Sequence, residues 1–199
     1  MTLTRLFWIV FTVAMAVYLA MAFWTVPHLA ALTDGQMILD MRPTGYSHAE
    51  VVDYLVALGD DGRVFYLTVQ HRLDLAYPAL LAASFGIGFA ILYRGWLRWG
   101  LIGAAVLGMV GDYTENAHVA AILHAGAEAV SVEMVQSASF WTLVKSAADS
   151  LCYMALLIGG VAFDSPGGGE PAAKDTQFLL HKSRSEIEDA AWRYGGLEV

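Results

Sequence analysis

Asp112, Glu115 and Asn116 fall at relative positions i, i+3 and i+4 of a largely apolar stretch, so a helix there carries all three on one face. Thr142, Lys145, Asp149 and Cys152 repeat the three-and-four spacing further on, and Arg72, Asp74, Tyr77 and Pro78 open another apolar run. An ionised side chain at the centre of a bilayer costs roughly 2.5 kcal/mol or more, so such groups turn inward and mark a site. Four carboxylates, Asp74, Asp112, Glu115 and Asp149, stand against one intramembrane cation, Lys145, with Arg72 at the rim. Carboxylates crowded in low dielectric either keep protons at neutral pH or share a bound cation.

Binding is the leading chemistry for this set: an acidic chamber of Asp74, Tyr77, Asp112, Glu115, Asn116, Lys145 and Asp149 that recognises the polar or cationic headgroup of a small molecule or lipid. Catalysis is the alternative, with one carboxylic acid as general acid, an ionised partner as base and Lys145 tuning both, in a lipid isomerase or hydrolase. A third class is an accessory subunit of a larger membrane complex. Pairing of Glu115 with Lys145 can also serve only to hold helices in register, but one ammonium cannot satisfy four acids. His118 is a weak candidate metal ligand that needs Asp112 or Asp149 close by, and a lone histidine is more often structural. Cys152 stands alone, so neither an intrachain disulfide nor a thiolate metal cage is expected. No nucleotide loop, zinc-helix motif or nucleophile elbow is present in the sequence, which leaves any cofactor unknown.

The elements that must position these residues are membrane helices. The chain is 57% hydrophobic and 15% charged, outside the range of soluble domains, and 199 residues leave room for one bundle and no separate catalytic domain. A net charge of −8 argues against nucleic-acid partners, and membrane lipids are the expected surroundings. Four spans are expected, at about 6–26, 75–93, 99–123 and 138–163, the first stopped by Pro27 and His28. Ala20-Met21-Ala22 resembles a signal-peptide cleavage site. The charge-poor start, with Arg5 alone, and the apolar run past that site favour a retained anchor. The expected fold is an all-α polytopic four-helix bundle, with Arg94-Gly95-Trp96-Leu97-Arg98 as the short connection between spans two and three.

Basic residues set the direction. Arg5, Arg94, Arg98, Lys174, Lys182, Arg184 and Arg193 fall on one side of the spans, whereas 126–137 carries Glu128 and Glu133 and no lysine or arginine. Both ends are therefore expected in the cytoplasm of a bacterial inner membrane, with Trp8, Trp24, Trp96, Trp99 and Trp141 near span ends as an aromatic belt. In the outer loop 27–74, Ser47-His48-Ala49-Glu50 is a capping box that opens an amphipathic helix through Val51, Val52, Leu55 and Leu58. That helix is expected to end at Gly59-Asp60-Asp61-Gly62, and a second segment, 63–73, to run into span two, making an extracytoplasmic helical hairpin over the bundle. After 163, a flexible linker at 165–169 and a short helix at 176–194 are expected in a cytoplasmic tail, 164–199.

Asp74-Leu75-Ala76-Tyr77-Pro78, Asp112-Tyr113-Thr114-Glu115-Asn116 and the preceding Gly45-Tyr46-Ser47 resemble segments of a group of uncharacterised bacterial four-helix integral membrane proteins, over about 1–163. That resemblance implies the fold and no activity. In plan only, the chain is also similar to the emopamil-binding and sigma-2 receptor type of four-helix proteins, which have a long first loop and acidic residues lining an intramembrane pocket for sterol-like or amine ligands. Their functional residues do not align onto these positions, and none is carried over.

Overall fold

The computed structural model describes residues 1–164, and every secondary-structure element among them is helical. One compact unit spans Met1–Gly159 and a second begins at Gly160. The linker and tail helix expected at 165–169 and 176–194 lie outside the described residues.

Helix α1, Leu3–Leu32, starts on Thr2, whose hydroxyl accepts from the Arg5 amide at 3.4 Å. It does not stop at Pro27. A π turn at Met21–Thr25 widens the coil, Val26 N–H reaches back to the Met21 carbonyl, and Pro27 then sits at the start of a fresh helical segment, where its missing N–H costs little.

Helix α2, His48–Leu92, opens with the capping box: Glu50 N–H donates to Ser47 Oγ at 3.3 Å and Ser47 N–H to Glu50 Oε2 at 2.7 Å. Val51, Leu55 and Leu58 form its buried stripe. The break expected across Gly59-Asp60-Asp61-Gly62 is confined to Gly59, at φ 63° and ψ −174°, a backbone region open almost only to glycine. Helix resumes at once, passes through a second π turn at Tyr66–Gln70 and runs on to Leu92. Helix α3, Gly95–Ala129, begins after Tyr93 and Arg94, so Trp96, Leu97 and Arg98 form its first turn rather than a connection. Val130 and Ser131 alone separate it from helix α4, Val132–Asp164.

Among the described residues, α1, α2 and α4 are long and apolar enough to cross a membrane; α3 is not, by composition. Asp112, Glu115 and Asn116 lower its hydropathy, yet all three are buried, while Val106, Leu107 and Val110 are exposed. The most apolar windows face outward. Only 11%, 33% and 22% of them are buried in α1, α2 and α4, the reverse of a soluble core.

α1 packs along α2, and α2 along α3. Two apolar clusters divide the bundle. One gathers Leu29, Leu39, Val51, Tyr54, Leu58, Ile122 and Val135; the other gathers Leu81, Phe85, Phe89, Leu101, Ala105 and Cys152. On each of α2, α3 and α4 the polar residues lie in sequence between the two clusters. The site is therefore a polar layer with packed apolar side chains on both sides.

Candidate functional site

Pro78 sits inside α2 and cannot donate a hydrogen bond to the carbonyl four residues back, that of Asp74. Asn116 of α3 approaches the freed oxygen, with Nδ2 at 3.5 Å from Asp74 O, and the Tyr113 hydroxyl donates to Leu75 O at 3.0 Å. Asn116 Nδ2 also donates to Asp112 Oδ1 at 3.2 Å. The proline of one segment thus makes the acceptor that the asparagine of the other fills, which fixes α3 against α2 at the level of both aspartates.

α4 approaches α3 at glycines. A Cβ built on Gly111 would lie 3.4 Å from both the Cβ and the backbone nitrogen of Lys145, so the helices touch there without an intervening side chain. This brings the Lys145 ammonium into an ion pair with Glu115 and to 3.6 Å from Asp112 Oδ1. The Thr142 hydroxyl donates to the other Glu115 oxygen. Glu115 is fully buried and Lys145 is nearly so, hence this trio is shielded from solvent and held from both helices.

A cavity of about 160 Å³ opens beside the trio. A cavity of similar size can admit a small aromatic molecule. Its polar wall consists of Asp40, Gln70, Asp74, Asp112, Lys145 and Asp149; Tyr18, Met21, Val26, Met41 and Tyr77 supply the apolar wall. Both π turns reach it, through Met21 and Gln70, and they are cross-linked by a hydrogen bond from the Thr25 hydroxyl to Gln70 Oε1. Turns of this type recur at functional sites because they re-aim side chains.

The sequence-derived residues divide. Asp74, Tyr77, Asp112, Lys145 and Asp149 line the cavity, whereas Glu115 and Asn116 are buried but absent from its lining and serve as supports. Arg72 is exposed and not part of the wall. His118 does not line it either, and among the described residues no three His, Cys, Asp or Glu side chains are disposed to hold a metal ion. The arrangement gives the metal reading no support.

Sequence reasoning missed Asp40 and Gln70. Asp40 lies on a short 3-10 turn, Leu39–Met41, which carries its carboxyl into the polar layer, where Asp40 accepts from the Tyr66 hydroxyl and comes within hydrogen-bonding reach of Asp74. The signal was a single acid inside the apolar run Met37-Ile38-Leu39-Asp40-Met41. Gln70 precedes Asp74 by one helical turn and shares its face.

No family model matches the chain, and no curated protein and no solved structure matches it.

Proposed function

We propose that this chain is an integral membrane protein whose four helices cross a bacterial inner membrane with both ends in the cytoplasm, and that the acidic chamber binds the headgroup of a small molecule or lipid in the outer half of the bilayer. The outward-facing apolar windows of α1, α2 and α4 support the membrane setting, and α3 fits as a fourth span because its polar residues are buried and its exposed flank is Val106, Leu107 and Val110. Arg5, Arg94 and Arg98 at one end of the bundle support the orientation, and the exposed Trp8, Trp24, Trp96 and Trp99 suit the interfaces. On this reading the segment His48–Phe65 with Leu39–Met41 forms the outer cap.

One observation carries the binding role: a cavity of about 160 Å³, walled by four carboxyls and one lysine that is already taken by Glu115 and Asp112, lies between two well-packed apolar clusters. A purely structural polar layer would close on itself. Native mass spectrometry of the gently extracted protein tests the reading. Wild type is expected to retain a small molecule or lipid that the Asp74→Asn, Asp149→Asn double variant loses, and a wild type that emerges bare from several mild extractions overturns it.

The adjoining carboxyls of Asp40 and Asp74 favour one further reading, an acid and base pair in a lipid isomerase or hydrolase. It requires that a membrane-lipid extract change in composition with wild type and not with Asp40→Asn or Asp74→Asn.

A further inference from the structure

We propose that the group seated in the chamber is a protonated amine, held through its N–H bonds by Asp74 and Asp40. This rests on the chamber being a ligand site and adds the chemistry of the ligand. Asp74 is 6% exposed, faces the cavity, and has as its polar side-chain neighbour another carboxyl, Asp40; no amide, hydroxyl or cation donates to its carboxyl oxygens among the described residues. Lys145 is engaged elsewhere, its ammonium paired with Glu115 and 3.6 Å from Asp112 Oδ1. A buried carboxylate without a donor is costly, and two side by side more so, unless they share a proton or a cation with hydrogens to give comes between them, and the open cavity beside this pair has room for the cation.

Gln70, one turn before Asp74 on the same face of α2, points the same way. It is 2% exposed, its Oε1 takes the Thr25 hydroxyl, and its Nε2 has only the thioether of Met21, at 3.6 Å, as acceptor. Sulfur is a weak acceptor, so this amide has donor capacity left for a polar group carried by the ligand.

An organic cation fits better than a metal ion. Half of the wall is apolar or aromatic: Tyr18, Met21, Ala22, Val26, Met41 and Tyr77 would cover carbon next to the charged nitrogen. The volume also exceeds what a bare ion fills. Tyr18 is 38% exposed while lining the cavity and packs its ring 5.9 Å from that of Tyr77, so this side chain of α1 borders both the cavity and the outer surface. A chain attached to the amine would leave past Tyr18 into the hydrocarbon, whereas a free amine would be enclosed behind it.

The test uses the full chain in nonionic detergent and four probes: dodecylamine, dodecyltrimethylammonium, dodecanol and n-butylamine. Saturable binding is read from the shift of the unfolding midpoint and from adducts in native mass spectra. Dodecylamine is expected to bind saturably, and dodecanol and the quaternary ion, which has no N–H, to bind about 10- to 100-fold more weakly. Asp74→Asn is expected to weaken dodecylamine by a similar factor. Asp40→Asn, which keeps the acceptor for Tyr66 and sits on a different element, provides the second variant should the first fold poorly. Saturable n-butylamine binding of like strength would assign the site to free amines, and its absence beside tight dodecylamine to lipid-borne ones; either upholds the proposal. Dodecanol binding as tightly as dodecylamine, or dodecylamine binding that both variants leave unchanged, overturns the amine while the chamber stands. If no probe binds saturably and wild type also carries no adduct after extraction, the ligand-chamber reading fails with it.

Discussion

Replacement of Lys145 by methionine should be the most damaging single change in the polar layer. The ammonium pairs with Glu115, which is fully buried, and lies 3.6 Å from Asp112 Oδ1. At an effective dielectric of about 20, a unit-charge pair at 3.6 Å is worth about 4.6 kcal/mol before desolvation is subtracted. Methionine fills comparable space without the charge, so packing survives but two carboxylates remain inside with no cation. Stranding a member of a buried pair costs about 3–5 kcal/mol. Glu115→Gln strands less, because Lys145 keeps Asp112 and the amide oxygen still accepts from Thr142; a cost of about 1–2 kcal/mol is expected. For a chain of this size about 1 kcal/mol moves the unfolding midpoint by about 2–4 °C. Followed by circular dichroism in nonionic detergent, Lys145→Met should therefore fall by roughly 6–20 °C and Glu115→Gln by roughly 2–8 °C. The double variant should lie above Lys145→Met alone, since the amide no longer needs the cation. A wild-type midpoint for Lys145→Met, or a double variant that falls by the sum of the two, would refute the assignment of this trio as the coupled core of the layer.

Two further outcomes follow from the backbone. Gly111→Leu should push α4 off α3, since even a Cβ there meets the Lys145 backbone at 3.4 Å, and lower the midpoint by an amount comparable with Lys145→Met; Gly103→Leu, on the same helix with open space around it, should leave the midpoint within about 2 °C. Gly59→Ala should cost about 1–3 kcal/mol by strain alone, because φ is 63° and ψ −174° and nothing lies within 4 Å of the added carbon; an unchanged midpoint would mean that the kink in α2 is not fixed by that backbone angle.

Helical content and the inward polar faces were legible because both rest on local spacing: the i, i+3, i+4 set on α3 and the three-and-four set on α4 meet in the structure at Lys145, Asp112 and Glu115. The capping box and the stripe Val51, Leu55, Leu58 were legible for the same reason. Helix ends were read less well. Pro27 looked like a stop because an isolated proline breaks the i to i−4 ladder, but the π turn at Met21–Thr25 shifts the ladder by one residue and lets α1 continue to Leu32. Asp40 was out of reach, since nothing local says that a 3-10 turn in the loop will carry one side chain down to α2.

Asp40 changes the electrostatic argument more than its late arrival suggests. With four acids and one lysine, pairing of Glu115 and Asp112 with Lys145 leaves two carboxyls to account for, and Asp149 at the half-exposed edge of α4 can be hydrated. Asp74 then could be left as an isolated buried group neutralised by a proton. Placing Asp40 against it, fixed by the Tyr66 hydroxyl from a neighbouring turn, uses a second element of the fold to increase the local excess of acid. A chain selected for stability alone would put an amide or a lysine at either position, because two abutting carboxyls weaken the packed layer without holding any helix in register. The helices are already registered by Asn116 on the carbonyl that Pro78 frees, by Tyr113 on Leu75 and by Lys145 on Glu115. Of the four acids that face the cavity, Asp112 is held by Lys145 and Asn116, whereas Asp74 and Asp40 add to the acid excess without joining one helix to another, and this difference sets Asp40 and Asp74 apart from Asp112 and Glu115 as the pair most in need of a ligand.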